Sequence, residues 1–256
     1  MSCTKFYFNN LTDDAVLTPS TENAQFPAEN IQDARRTKVW RSTSNSDHIY
    51  FDFGSVEPID SCFMVGHSLN GLGFTGASLE LNNVATWTSG AIATIPLTLD
   101  AENNLAFGEL VNSVNARYGK LILTSTLGYC EVSKIFVGLG ENTGTENDFS
   151  YPLSVTFSNN ATIQKNRYGQ RFVDEVNEQK RLTGEIKTMT NAEVEVIHDL
   201  ARQNANTKPF FLRISNVNIF SDSDRMSGYY YLLNEPTFTY ESGGFWSVQL
   251  NMEEGT

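Results

Sequence analysis

The chain has 256 residues, a formal net charge of −12 and an isoelectric point near 4.7. Both halves are acidic, with 8 basic and 15 acidic residues before Thr145 and 10 and 15 from it onwards. Neither half has the basic surface of a nucleic-acid-binding protein, so we expect no sequence-specific binding to nucleic acid. We also expect no membrane span, because no apolar run approaches the roughly 18 residues that one needs.

The first residues lack the charged-then-apolar layout of a signal peptide. The three cysteines are an odd number without CxxC spacing, which argues against a disulfide framework or a zinc site. We therefore expect reduced thiols in a protein synthesised in a cytoplasm.

Short runs of alternating apolar and polar residues recur along most of the chain. They include 48–53, 77–81, 120–124, 134–137 and 245–250. Gly, Asn, Ser and Pro separate these runs, and each run has one apolar face, as strands of a sandwich or barrel do. The pattern predicts a mainly β protein.

The stretch 138–147 is rich in Gly, Asn and Thr and has no apolar periodicity. It predicts a boundary between two domains, 1–140 and 148–256.

One segment of the second domain has helical rather than strand periodicity. Thr190 and Glu193 have the spacing of a capping box, and Val194, Ile197 and Leu200 then share one helical face. A helix over about 191–203 is predicted.

The first 138 residues contain an ordered series of motifs. A loop of small residues, 20–30, leads to Asp33, then to Trp40-Arg-Ser42 and 49–54, and later to 116–124 and 131–138. This order resembles a discoidin (factor V/VIII C-type) domain, which implies a jelly-roll β-sandwich that presents ligands to loops at one end.

That resemblance implies a ligand site in the loops. The implied ligand-binding residues are Arg35, Arg36, Trp40, Arg41 and His67. Arginine can clamp a carboxylate and tryptophan can stack on a sugar. The alternative is that Trp40 is a buried core anchor and that the two adjacent arginines form a solvated turn. Since Asp33 is followed by Ala34 rather than the glycine common in the family, no metal site is expected.

The second half combines strands, the capped helix, Lys208-Pro-Phe-Phe211 and the final run Trp246–Glu254. This layout resembles the tail-tube-like β-sandwich or barrel of phage distal-tail and baseplate proteins. The resemblance implies a homo-oligomeric ring, commonly six-fold, that stacks on the tail tube and docks neighbouring tail proteins.

The two resemblances together imply a structural component of a phage tail tip or baseplate, synthesised in the host cytoplasm and located in the tail of the virion. The alternative is a carbohydrate-binding receptor-recognition protein that contacts a cell-surface glycan through the discoidin-like loops.

No catalytic residue and no cofactor are predicted, and we do not expect an enzyme. Gly71–Gly76 matches GxGxxG, but a strand pattern follows where a dinucleotide site needs a helix. Gly66–Asn70 is similar to a hydrolase elbow but also lacks the helix. Asp222 and Asp224 lie in a predicted turn, with Leu233 where an EF-hand needs its glutamate.

Overall fold

The computed structural model describes residues 4–66, 74–87, 90–100, 105–143, 149–159, 162–165, 171–174, 178–204, 206–214 and 227–255. The chain forms two compact units. The first unit comprises Lys5–Glu141 together with Phe210–Arg213, and the second comprises Asn142–Pro209 and Ile214–Thr256 together with the residues before Lys5.

The described secondary structure consists mostly of strands. They are β1 (Lys5–Tyr7), β2 (Val16–Pro19), β3 (Trp40–Arg41), β4 (Ser46–Val65), β5 (Phe74–Asn82), β6 (Ala93–Pro96), β7 (Thr98–Asp100), β8 (Leu105–Ser125), β9 (Glu131–Val132), β10 (Lys134–Gly138), β11 (Glu141–Asn142), β12 (Phe149–Asn159), β13 (Thr162–Lys165), β14 (Arg171–Asp174), β15 (Glu178–Met189), β16 (Phe210–Arg213), β17 (Gly228–Leu232), β18 (Thr237–Tyr240) and β19 (Trp246–Glu254). The helices are α1 (Asn191–Asn204) and two short 3₁₀ helices, Leu11–Asp13 and Ala28–Gln32. The predicted mainly β fold class is confirmed. None of the helices in this part of the chain has both the length and the apolar character needed to cross a membrane.

The first unit is built on an antiparallel sheet with strand order β10-β4-β8-β5-β6, in which β2 also pairs with β4 and β7 with β8. Strands β4 and β8 are unusually long, with 20 and 21 residues. Their pairing register shifts between Asp52 and Glu57 and again between Ile59 and Ser61. Such irregularities bend a strand, so the two halves of β4 pair with different neighbours, β2 before the shifts and β10 after them.

Strict alternation along residues 46–52 of β4 separates the core from the outer face of this sheet. Ile49 and Phe51 are buried, whereas His48, Tyr50 and Asp52 are half-buried on the opposite face. The core also contains residues of β5, β6 and β8, namely Leu79, Leu81, Ile95, Leu121 and Leu123. Because side chains alternate across a strand, the sheet that closes the core also presents a continuous outer surface.

Strand β16 comes from the second half of the sequence but belongs to the first unit. It pairs with β1, so that Phe211 lies opposite Tyr7. The Phe211 ring also packs against Phe63, with centroids 5.3 Å apart. The predicted domain boundaries put 210–213 in the second domain instead. Local alternation indicates a strand but does not indicate which strand it pairs with.

Glu109 on β8 fixes β1 and β16 in place. Its carboxylate accepts hydrogen bonds from the Tyr7 hydroxyl and the Arg213 guanidinium, and from the Lys5 ammonium at 3.3 Å. The Arg213 guanidinium also lies 4.8 Å from the centre of the Phe107 ring. Burial, followed by the Glu109 charge, raises the pKa of Tyr7 far above its ordinary value, so this hydroxyl remains a donor.

The second unit contains an antiparallel sheet in which β15 lies between β12 and β19, and β17 and β18 pair with β19. Strands β13 and β14 pair with each other.

Helix α1 follows β15 and is confirmed over Asn191–Asn204. The Thr190 backbone N–H donates to Glu193 Oε2 at 2.7 Å, and the Glu193 N–H donates back to Thr190 Oγ1 at 3.4 Å. Ile197 and Leu200 are buried on the face that the sequence assigned to packing. After the helix, the Asn204 amide donates to the carbonyls of Lys208 and Pro209, which holds the turn.

Candidate functional site

The outer face of the first unit carries a row of polar and aromatic side chains that runs across four strands. Thr18 on β2 lies opposite Tyr50 on β4, Tyr50 lies opposite Lys120 on β8, and Lys120 lies opposite Glu80 on β5. Directly opposed residues share a face of the sheet. The next row places Asp52 between Val16 and Tyr118.

A groove of about 630 Å³ lies over these rows. It is lined by Val16, Thr18, Tyr50, Phe51, Asp52, Ala85, Thr86, Trp87 and Tyr118. Three of these residues, Tyr50, Trp87 and Tyr118, are partly exposed aromatics. The groove thus combines a strand floor with a wall from the loop that follows β5.

The loop that carries Trp87 is attached to the sheet at several points. The Asn83 amide donates to the Asn115 carbonyl at 3.1 Å, and the Asn83 side-chain oxygen accepts from the Arg117 N–H at 3.2 Å. The Asn82 amide spans the loop and donates to the Gly90 carbonyl at 2.9 Å. These bonds position the wall before a ligand binds, which reduces the conformational entropy lost on binding.

The aromatic rings of the groove are arranged around Tyr50. The Tyr50 and Trp87 centroids are 6.0 Å apart with an interplanar angle of 34°. The His48 and Tyr50 centroids are 4.7 Å apart, and the two rings are nearly perpendicular, at 80°. The Lys120 ammonium lies 5.9 Å from the centres of both the Tyr50 and Trp87 rings, close enough for a cation–π contact.

The charged groups beside the rings are paired. The Arg117 guanidinium makes two hydrogen bonds to Asp52, at 2.9 and 3.0 Å, and Asp52 Oδ1 also accepts the Gly54 N–H at 2.9 Å. The Arg117 bond lowers the pKa of Asp52, and the same contact raises the pKa of Arg117. The Lys120 ammonium is 3.7 Å from the Glu80 carboxylate. Asp52 is therefore ionised and already partnered at neutral pH.

Three solved structures show what the chain is similar to. CBM32 of AlyQ, in complex with 4,5-unsaturated mannuronic acid, is 17% identical with a TM-score of 0.41, covering 48% of this chain and 92% of that one. A mutant of the lectin binding domain of Lectinolysin, complexed with Lewis b, is 15% identical with a TM-score of 0.42, covering 50% and 94%. A Streptococcus pneumoniae fucose binding module, SpX-3, is 9% identical with a TM-score of 0.41, covering 51% and 98%. No protein-family model and no curated protein matches the chain.

The loop-end residues implied by the sequence resemblance are engaged within the protein. Trp40 is completely buried in the core of the first unit, so its ring is not available to stack on a ligand. Its position agrees with the alternative interpretation, a core anchor. Arg36 is half-buried and also makes interactions within the chain.

Arg35 and Arg41 each have a carboxylate partner. Arg35 donates two side-chain hydrogen bonds to Asp33, at 2.9 and 2.6 Å, and these bonds hold the pKa of Asp33 far below its usual range. Arg41 Nε donates to Glu131 at 2.7 Å, while its guanidinium lies over the rings of Phe26 and Tyr129 at 4.3 and 4.6 Å.

Four residues that the sequence motifs single out, His67, Ser68, Asp222 and Asp224, lie outside the described residues. Among the residues that are described, no group of three or more His, Cys, Asp and Glu side chains is arranged to hold a metal ion. Cys62 and Cys130 are buried free thiols, and burial raises the pKa of Cys130 to about 11.

A second cavity, of about 480 Å³, lies in the second unit beside α1. It is lined by His198, Ala201, Arg202, Asn206, Leu232, Glu235, Pro236 and Phe238. The His198 and Phe238 rings are 6.0 Å apart. Phe238 is the one Phe, Tyr or Trp residue in its described lining, whereas several such residues line the groove of the first unit. The groove is therefore the stronger candidate site.

Tyr50, Trp87 and Tyr118 were not predicted from the sequence as site residues. One signal was present, because Tyr50 occupies an outward position of an alternating strand where a polar residue is more usual. Trp87 also stands in a polar stretch where no core-forming pattern demands it. The rows that bring these residues together depend on long-range pairing of β2, β4 and β8.

Proposed function

We propose that the first unit binds carbohydrate in the groove lined by Tyr50, Trp87 and Tyr118, and that it does so without catalysis. The observation that carries the proposal is the set of three partly exposed aromatic rings around one groove. Sugar rings have an apolar C–H face that packs on an aromatic face, and the ring quadrupole favours this contact.

Polar groups around the rings supply the other half of sugar recognition. Thr18 and Thr86 offer hydroxyls, and Asp52 offers carboxylate oxygens next to the aromatic surface. A few placed polar groups in a mostly apolar cleft fix the orientation of a small ligand, and the groove volume falls within the roughly 300–1,000 Å³ typical of such sites. Sugar hydroxyls would exchange hydrogen bonds with these groups.

The test is a glycan array followed by calorimetry on the best-bound oligosaccharide. We expect Trp87→Ala and Tyr50→Ala each to weaken binding at least tenfold, a loss of about 1.4 kcal/mol or more. Tyr240→Ala is the matched control, since Tyr240 is an exposed tyrosine of the second unit. Circular dichroism and thermal melting would show that each variant is folded.

The predicted loop-end site provides a second control. Arg35→Ala and Arg36→Ala should leave the affinity unchanged, because neither residue lines the groove. Binding that is lost in these variants and retained in Trp87→Ala would move the site to the loops. An array without any bound glycan would remove the proposal.

We propose a tail-tip or baseplate role, with location in the virion tail, as the setting of this binding. It is supported by the sequence resemblance of the second half and by one feature of the second unit, a capped helix that packs on β15 and β19. In this setting the second unit would assemble into the ring and dock other tail proteins, and the first unit would contact a cell-surface glycan.

A further inference from the structure

We infer that the groove selects uncharged glycans, and that two ion pairs beside its aromatic rings, Asp52–Arg117 and Glu80–Lys120, set this selectivity. The inference rests on the proposed carbohydrate binding and names the class of ligand. It concerns the charges that a ligand stacked on Tyr50 and Trp87 would meet.

The first pair places a negative charge on the groove surface. Among the described residues that line the groove, Asp52 is the charged one. Arg117 grips it through two hydrogen bonds, at 2.9 and 3.0 Å. These two bonds occupy the Nε and Nη2 donors of the guanidinium, and Asp52 balances its charge. An acidic sugar that reached the remaining Nη1 donors would therefore also meet the charge of Asp52.

The second pair restrains the cation closest to the rings. The Lys120 ammonium lies 5.9 Å from the centres of the Tyr50 and Trp87 rings, and the Glu80 carboxylate lies 3.7 Å from it. The side chains of Lys120 and Glu80 are only 22% and 29% exposed. A ligand carboxylate near Lys120 would thus also lie near Glu80, so attraction and repulsion offset each other.

No other cation among the described residues at these rings would offset the cost of desolvating an anionic ligand. His48 lies against Tyr50, and burial together with the charge of Lys120 lowers its pKa, so it is neutral at pH 7. Desolvating an anionic ligand is costly unless a free cation receives it. Since the whole chain carries −12 as well, acidic polysaccharides are also repelled at long range. An uncharged sugar avoids each of these costs.

The experiment uses the full chain on an array that carries neutral hexose oligosaccharides beside uronic-acid, sialylated and sulfated ones. We expect neutral ligands to bind at least tenfold more tightly than acidic ones at about 0.15 M salt. Acidic glycans that bind as tightly as neutral ones would overturn the inference while the proposed function stands. No binding to either class would overturn both.

A pair of double variants tests the assigned cause. Asp52→Asn with Glu80→Gln keeps the shape of both side chains and frees Arg117 and Lys120, so it should raise binding of uronic-acid oligosaccharides at least tenfold. Glu185→Gln with Glu253→Gln is the matched control, because it removes two carboxylates from ion pairs of the second unit. An equal gain in both double variants would show that net charge, rather than the two pairs at the groove, governs selectivity. If the first double variant does not fold, the single change Glu80→Gln carries the same test at Lys120.

Discussion

At the scale of single residues, the protonation of His48, beside the groove, makes the free energy of unfolding depend on pH. Its ring lies against Tyr50, and burial, reinforced by Lys120 and only partly opposed by Asp47, lowers its pKa below the ordinary 6.5. As the pH falls through 6.5 towards the folded-state pKa, the unfolded chain therefore binds a proton that the folded chain does not. In that window the free energy of unfolding must decrease, whereas above it His48 is neutral in both states and contributes no pH dependence.

We expect His48→Asn to lose this part of the pH dependence. Urea unfolding of both proteins between about pH 5 and pH 8 gives the free energy of unfolding at each pH. Other titrating groups contribute nearly equally to both proteins, so the difference between them isolates His48. That difference should change in favour of the variant as the pH falls, and a constant difference would contradict the prediction.

Residue identity alone did not distinguish the two tryptophans that matter most in the first unit. Trp40 is completely buried, while Trp87 is partly exposed in a wall of the groove. The motif around Trp40 implies a binding role for this residue in the sequence analysis. In the fold, however, Trp40 is a core residue. Burial depends on which elements pack over a side chain, and β3, which carries Trp40, pairs with β9, a strand distant in the sequence.

At the scale of elements, helix α1 begins with a reciprocal capping box between Thr190 and Glu193. Replacing the capping hydroxyl leaves a helix N–H without its partner, so we expect Thr190→Ala to lower the free energy of unfolding by about 1 kcal/mol. Urea unfolding followed by far-ultraviolet circular dichroism measures this change.

Thr190→Ser is the matched control for the cap. It retains the hydroxyl and should stay within about 0.5 kcal/mol of the wild type. If the alanine and serine variants were equally stable, the hydrogen bond at 3.4 Å from the Glu193 N–H to Thr190 Oγ1 would contribute nothing.

Elements with a local signal were predicted from the sequence, whereas the pairing of distant strands and the irregularities within them were not. The capping box and the helical periodicity give α1 to within one residue of its observed end. The end of β15 gave no such signal. Its register shifts between Ile186 and Met189, and Thr188 has a φ of 62°, in the left-handed region that a β-branched residue rarely adopts. The residue types of this segment do not indicate that conformation.

At the scale of the whole molecule, the predicted ring must overcome the charge of its own subunits. Each chain carries −12, so neighbouring copies repel one another at low ionic strength. Salt screens this repulsion, with a Debye length that falls from about 30 Å at 0.01 M to about 10 Å at 0.1 M. Ring assembly should therefore strengthen as salt is added, the reverse of an assembly held by complementary charges.

We expect light scattering coupled to size exclusion to show a species of about six times the 28.6 kDa of one chain, populated more fully at high than at low salt. Trp87→Ala serves as the control, since loss of the groove should leave the mass unchanged. A monomer at every salt and protein concentration would remove the ring and the tail-tip setting but leave carbohydrate binding intact. Glycan binding with no assembly would then show that the first unit binds glycan without ring formation, because one groove needs no second copy to be complete.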